Sequence, residues 1–164
     1  MENNLRELTF NDNELIVSKT DISGNITYGN ELFMKLSGYS ASELSAAPHN
    51  IIRHPSMPRI VFKKLWDTVK AGQEINAYVI NQSKDGSYYW VIANVTPSYN
   101  NDGKIIGFHS VRRKPSKRAL DIIKPLYKQL VQDEKAGGMQ QSENRLNSLI
   151  QSNGGRYDKF ILSI

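Results

Sequence analysis

The chain has 164 residues, of which 39% are hydrophobic and 23% charged, so it can bury one core and is not disordered in composition. It contains no cysteine, which excludes disulfides, thiolate metal sites and thiol chemistry. No apolar run approaches the roughly 20 residues that span a bilayer, and the first residues do not resemble a signal peptide, so we expect a cytoplasmic protein.

The net charge of +5 raises the question of a nucleic-acid partner. The basic residues are spread along the chain except for Arg112, Arg113 and Lys114, with Lys117 and Arg118 close behind. This cluster has no interleaved aromatic residues and matches no nucleic-acid-binding module. It fits a solvated strand end, an acidic partner or a lipid surface equally well, and we predict no nucleic-acid partner.

Turn residues and extended runs predict five strands. Asp-Gly dipeptides at residues 85–86 and 102–103, each flanked by extended runs, are strong hairpin signals. The predicted strands are at residues 14–20, 26–28, 76–83, 87–98 and 105–113. Helical spacing between the second and third strands predicts two short helices and a longer amphipathic one, at residues 30–38, 40–44 and 58–71. This order indicates an α+β fold, a five-stranded antiparallel sheet with helices on one face.

A helical extension is predicted beyond the last strand. Pro115 ends that strand, and Pro125 lies inside the apolar pattern of the helix that follows, where we expect a kink. Ala-Gly-Gly at residues 136–138 is predicted to be a linker, and residues 143–151 a short amphipathic helix. The chain is therefore divided into a lead-in, a central domain, an exit helix and a tail, at residues 1–13, 14–114, 115–135 and 136–164.

Several segments resemble the PAS family. The generic ones are GNITYGNELFMKLSGYSASEL, the Lys-Asp-Gly turn, YYWV and NDGKIIGF, at residues 24–44, 84–86, 88–91 and 101–108. A more specific match is the segment PHNIIRHPSMPRIVFKKLWDTVKAG at residues 48–72. It resembles the PAS domains of aerotaxis receptors and of free-standing energy-taxis proteins. Two positions depart from the family pattern, Ser56 in place of an acid and Ile75 in place of a tryptophan.

The resemblance implies a PAS domain that holds FAD non-covalently and reports the redox state of the flavin in energy taxis. The partner would be a chemotaxis-type signalling protein, namely a membrane receptor with a cytoplasmic signalling region. With no transmembrane segment or long coiled coil of its own, the chain resembles the separate sensor half of a two-protein system. It would lie in the cytoplasm or reach the membrane through its partner. PAS domains often pair, which leaves a homodimer open.

Residues 48–58 hold three of the side chains that this resemblance assigns to the cofactor. A guanidinium can pair with a pyrophosphate or a flavin carbonyl, and an imidazole can donate or accept at a cleft, which indicates Arg53, His54 and His49. The alternative is a surface arginine and turn-stabilising or helix-capping histidines. Asn30 is a helix cap by its position and a ligand contact by analogy with the family.

Two further residues complete the predicted site. Trp66 on the long helix is a core residue by its spacing, and by resemblance its flat indole packs on the cofactor. An inward Asn81 amide would match the donors and acceptors of a flavin edge, although this asparagine could also begin the next turn. The predicted cofactor-binding residues are Asn30, His49, Arg53, His54, Trp66 and Asn81.

An enzyme is not predicted, because the sequence has no metal-binding histidine spacing, phosphate-binding glycine loop, nucleophile elbow or paired catalytic acids. We therefore assign neither catalytic nor metal-binding residues. Two alternatives to FAD stay open. One is a haem held by His49 or His54, and the other is a ligand-free protein-interaction module whose core is filled by side chains.

Overall fold

The computed structural model describes residues 6–164, so the first five residues of the predicted lead-in lie outside the described part of the chain. The strands are β1 (Ile16–Asp21), β2 (Ile26–Gly29), β3 (Ile75–Gln82), β4 (Tyr88–Tyr99) and β5 (Ile105–Arg113). They form one antiparallel sheet in the order β2-β1-β5-β4-β3. The predicted α+β fold is confirmed, and each strand lies close to its predicted position.

Short helices connect β2 to β3. They are α1 (Glu31–Ser37), α2 (Ala41–Leu44), a 3-10 helix (His49–Ile52) and α3 (Arg59–Lys70). Asn30 begins α1, since its Oδ1 accepts a hydrogen bond from the backbone N–H of Phe33 at 3.1 Å. Gly38 ends this helix in the left-handed conformation, with φ 74°. The prolines around the 3-10 helix prevent a regular α-helix in this segment, which leaves room beside the sheet.

The two faces of the sheet have different neighbours, because side chains alternate along a strand. Tyr89, Val91 and Ala93 of β4 are buried on the face that α1 and α3 cover. Trp90, between them in sequence, points to the opposite face. Its ring centroid lies 5.8 Å from that of Tyr127, in the helix that follows β5. The part of α4 around Tyr127 therefore packs on the face of the sheet opposite to α3, whereas the later C-terminal helices reach α3 and the edge strand β3.

The C-terminal extension consists of α4 (Lys117–Gly137), α5 (Met139–Ser152) and α6 (Tyr157–Leu162). The predicted linker at residues 136–138 is wrong in extent, because α4 continues through Gly137 and only Gly138 separates it from α5. Gly138 has φ 75°, and its N–H closes α4 on the carbonyl of Glu134. The packing of α5 along α4 outweighs the cost of about 1 kcal/mol for glycine in a helix. Pro125 lies within α4 and does not end it.

The predicted tail packs against the rest of the domain. Helix α6 contacts β3, which forms one edge of the sheet, and α5 contacts α3. The buried apolar side chains of the C-terminal helices include Leu130, Leu146, Ile150, Phe160 and Ile161. Covering an exposed strand edge with helices protects it from pairing with other chains. Within residues 6–164, no helix is long and apolar enough to cross a bilayer.

Candidate cofactor site

A cavity of about 310 Å³ lies between the sheet and the helices that connect β2 to β3. Its floor is apolar and comes from Val79, Ala93, Val95 and Phe108 on the three strands β3 to β5. The small side chain of Ala93 leaves space that a larger residue at this central position would fill. The opposite walls are residues 48–53 and one side of α3.

A chain of hydrogen bonds forms the polar end of this cavity. The guanidinium of Arg112 donates through Nη1 to Oδ1 of Asn81 at 3.3 Å and through Nη2 to Oγ of Ser18 at 2.6 Å. The Ser18 hydroxyl also shares a hydrogen bond with Nε2 of His49 at 3.0 Å. Four side chains from β1, β3, β5 and the 3-10 helix are thus fixed relative to one another.

Burial decides which of these groups is charged. Arg112 is only 2% exposed, and burial lowers its pKa to about 10, so it remains a cation at neutral pH. Burial, followed by the nearby Arg112 charge, lowers the pKa of His49 to about 3, so this imidazole is neutral. Burial raises the pKa of Tyr89 to about 12, which keeps its phenol protonated.

Several buried polar atoms near this end have no hydrogen-bond partner among residues 6–164, namely Nε of Arg112, Oγ1 of Thr20 and Oη of Tyr89. The charged residues that line the cavity are Arg53, Lys63 and Arg112, and none of the described residues around it is an aspartate or glutamate. Unpartnered buried donors are uncommon in folded proteins. The cavity is therefore suited to a ligand that offers acceptor atoms or negative charge.

Four of the six predicted site residues line this cavity, namely His49, Arg53, Trp66 and Asn81. The Arg53 guanidinium lies 4.5 Å above the ring of Phe62. The backbone of Arg53 pairs with that of Asn81 at the edge of β3. Trp66 meets Phe108 edge-on with ring centroids 5.3 Å apart. This tryptophan is both a packing residue and part of the cavity wall, as its two sequence interpretations allowed.

The other two predicted residues do not line the cavity. The Oδ1 of Asn30 accepts from the backbone N–H groups of Val17 and Phe33, both at 3.1 Å, and its amide donates to Leu15 O at 2.8 Å. All three bonds are structural, so the structure gives Asn30 the capping role.

His54 faces a separate, more open cleft beside α4. Its Nδ1 accepts from the backbone N–H of Ser56 at 3.0 Å, and its ring lies 5.7 Å from that of Tyr88. Burial lowers the pKa of this imidazole as well. The bond to Ser56 is the turn-stabilising alternative that the sequence left open for this histidine.

Sequence reasoning missed Arg112, because it groups this residue with Arg113 and Lys114 in a basic cluster at a solvated strand end or at the surface for an acidic partner or a lipid. That interpretation is wrong for Arg112 alone, since Arg113 and Lys114 are exposed. The period of two along β5 carries the missing signal, because Phe108 and Arg112 are four residues apart and share the inward face. Successive residues of a strand point to opposite faces of the sheet, so a run of basic residues can contain one arginine that points inward.

A five-stranded antiparallel sheet with short helices over one face, and a cavity with one polar end between them, defines the PAS class of sensory domains. A family model described as "PAS fold" matches residues 26–112, which is more than half of the chain. The chain therefore belongs to the PAS family. The matched region runs from the first residue of β2 to Arg112.

Two similar proteins indicate which PAS-containing proteins this chain resembles. The aerotaxis receptor of Escherichia coli (strain K12) is 40% identical over 119 residues, which are 73% of this chain and 23% of the receptor. The nitrogen fixation regulatory protein of Klebsiella pneumoniae is 31% identical over 97 residues, 59% of this chain and 20% of that protein. The chain thus spans less than a quarter of the length of these relatives.

Solved structures agree on the fold. The light-state structure of the blue-light photoreceptor Aureochrome1 LOV superposes with a TM-score of 0.61 at 19% identity. The match covers 67% of this chain and 88% of that one. Its identity is too low to indicate more than a shared architecture.

Proposed function

We propose that this domain binds FAD in the cavity and passes the redox state of the flavin to a separate signalling protein in energy taxis. The observation that carries the proposal is the polar end formed by Asn81 and Arg112, in a chain that is 40% identical to an aerotaxis receptor over 119 residues. A sensor of this kind needs a ligand site and a route to its surface, and it needs no catalytic residue.

The cavity fits a flavin ring in size and chemistry. Its volume of about 310 Å³ is that of a small ligand site, which suits the ring system of FAD, and the rest of the dinucleotide would extend out of the cavity. The edge of a flavin alternates hydrogen-bond acceptors with a donor, and Asn81, Arg112 and Thr20 offer complementary groups. A flavin, when bound, would supply reversible uptake of electrons. Trp66 and the apolar floor would bury its faces and exclude water.

The route to the surface runs through α3. The cavity residues Leu65 and Trp66 lie on this helix, and its first turn is held by Glu134 of α4. The two carboxylate oxygens of Glu134 accept from the backbone N–H groups of Arg59 and Ile60 at 3.1 and 3.0 Å. A small displacement of α3 would therefore move α4, and a differential contact of about 1–3 kcal/mol is enough for such coupling.

The partner that we propose is a chemotaxis-type receptor with a cytoplasmic signalling region, and the sensor would act in the cytoplasm. The likeness to an aerotaxis receptor supports this part of the proposal. The outer face of the sheet and the C-terminal helices are the surfaces that we expect such a partner to contact.

The first experiment is an absorption spectrum of the purified protein before and after dithionite. We expect the two visible bands of a flavin, which bleach on reduction, and chromatography of the heat-released cofactor should identify FAD. A Soret band would instead indicate haem, with His49 as the first ligand to replace. A colourless protein that cannot be reconstituted with FAD would contradict the proposal and favour a ligand-free interaction module.

Variants then test the site. Asn81→Ala should weaken FAD binding about fivefold or more, because one hydrogen bond in a buried site contributes about 1–3 kcal/mol. Asn94→Ala is the matched control, since Asn94 lies on β4 with its amide directed to Glu74 and Asn76, outside the cavity. Equal FAD affinity of the two variants would remove Asn81 from the site.

A further inference from the structure

Most of the positive charge in the cavity has no counter-charge. Of the three cationic residues that line it, Lys63 pairs with Asp67 at 2.8 Å. Arg53 and Arg112 form no ion pair with a carboxylate among the described residues. Arg112 is the most buried of them at 2% exposure, and its hydrogen-bond partners Ser18 and Asn81 are both neutral. Its Nε has no partner within residues 6–164. Burial of an unpaired charge is costly, so an isolated guanidinium at the centre of a domain needs a reason.

The neighbouring titratable groups do not supply the missing negative charge. His49 is neutral, for the reasons of burial and charge given above, and Tyr89 keeps its proton. Ser18, Thr20 and Asn81 contribute dipoles only. The aromatic ring of Phe33, 4.6 Å from the guanidinium carbon, offers a weakly negative face but no charge. The counter-charge therefore has to come from a ligand.

We propose that Arg112 is a specificity residue that makes the cavity bind the reduced, negatively charged form of the flavin more tightly than the neutral oxidised form. This inference rests on the proposed function. Reduction by an external electron donor adds two electrons and one proton to the bound ring, which leaves it with one negative charge. Arg112 balances this charge and keeps its own protons, and no second proton is taken from solvent. The preference is the differential interaction that a redox signal requires.

The test compares dissociation constants of oxidised FAD and of FAD reduced with dithionite under anaerobic conditions. In the unmodified protein we expect at least tenfold tighter binding of the reduced form, which makes the midpoint potential of bound FAD about 30 mV more positive than that of free FAD. Arg112→Gln should bring the ratio of the two constants close to one, while Arg112→Lys should retain part of it. The ratio is the informative quantity, because lost packing weakens both forms alike.

The matched control is Arg113→Gln, the same change one residue on, at an exposed position. It should leave both constants unchanged. Equal affinity of the unmodified protein for the two forms, or an unchanged ratio in Arg112→Gln, would overturn this inference and leave FAD binding intact. Failure to bind either form would overturn the proposed function as well. If Arg112→Gln does not fold, the inference is still tested by the ratio of the two dissociation constants in the unmodified protein and in Arg112→Lys.

Discussion

Two buried charged residues, Arg112 at the cavity and Asp133 between the C-terminal helices, have different surroundings. Asp133 of α4 is 2% exposed and accepts hydrogen bonds from Gln129, Gln141 and Arg145. These bonds hold its pKa below the ordinary range, Arg145 first among them. Arg112 is buried to the same degree and has no carboxylate beside it. The chain itself supplies a counter-charge for Asp133, as is usual for a structural charge. Within residues 6–164 it supplies none for Arg112, and a functional site explains such a charge better.

Apolar packing differs between the same two regions. Leu130 of α4 is 0% exposed and lies among the C-terminal helices, whereas Leu65 of α3 borders the cavity. The cost of removing a buried leucine depends on how much new empty volume it leaves. Leu130 therefore has no open space beside it, whereas Leu65 already borders the cavity.

The largest effect that we predict follows from this difference. Leu130→Ala should lower the free energy of unfolding by about 2–5 kcal/mol, measured by urea denaturation of the ligand-free protein. The matched change Leu65→Ala should cost clearly less, because this side chain already borders open volume. Equal costs for the two variants would mean that the cavity is collapsed in solution.

A second prediction uses the neutral histidine on the cavity side. The pKa of His49 is about 3 in the folded protein, against about 6.5 in an unfolded chain. As the pH falls below about 6.5 the unfolded chain gains a proton that the folded protein does not, so stability must fall with falling pH. The limiting slope is about 1.4 kcal/mol per pH unit.

The measurement is the free energy of unfolding between roughly pH 6.5 and 5, above the range in which carboxylates titrate. His49→Gln should flatten this slope, and the remaining slope should come mainly from His54, whose pKa burial also lowers. Asp133 has a lowered pKa, so the stability from its bonds is present above the ordinary aspartate range and is lost only at more acidic pH. An unchanged slope in His49→Gln would show that the cavity is hydrated enough to charge this ring.

Local signals predicted most of the fold. Asn30, Gly38 and the Asp-Gly turns act over a few residues, so their effect can be read without tertiary structure. The end of α4 could not be predicted in this way, because Gly137 is kept helical by the packing of α5 against α4. What the sequence cannot show directly is which helices contact each other.

The lining of the cavity was predicted in part, for a similar reason. Four lining residues belong to segments whose likeness to a family predicts a role for them, namely His49, Arg53, Trp66 and Asn81. Arg112 belongs to a basic run, and only its inward direction on β5 separates it from Arg113. That direction depends on strand register, which is a tertiary property of the sheet.

The smallest predicted effect compares two buried tyrosines. The Tyr127 hydroxyl donates to the backbone carbonyl of Tyr78 on β3, so Tyr127→Phe leaves a buried acceptor without this donor. We expect a loss of about 1 kcal/mol in the free energy of unfolding. Tyr89→Phe makes the same chemical change at a hydroxyl that has no partner among residues 6–164 and is likewise buried. It should leave the stability of the ligand-free protein unchanged or slightly raise it, because an unsatisfied donor is removed. A loss as large as that of Tyr127→Phe would mean that the Tyr89 hydroxyl has a hydrogen-bond partner in solution. The polar end of the cavity would then have fewer unpartnered groups for a ligand to bind than its geometry indicates.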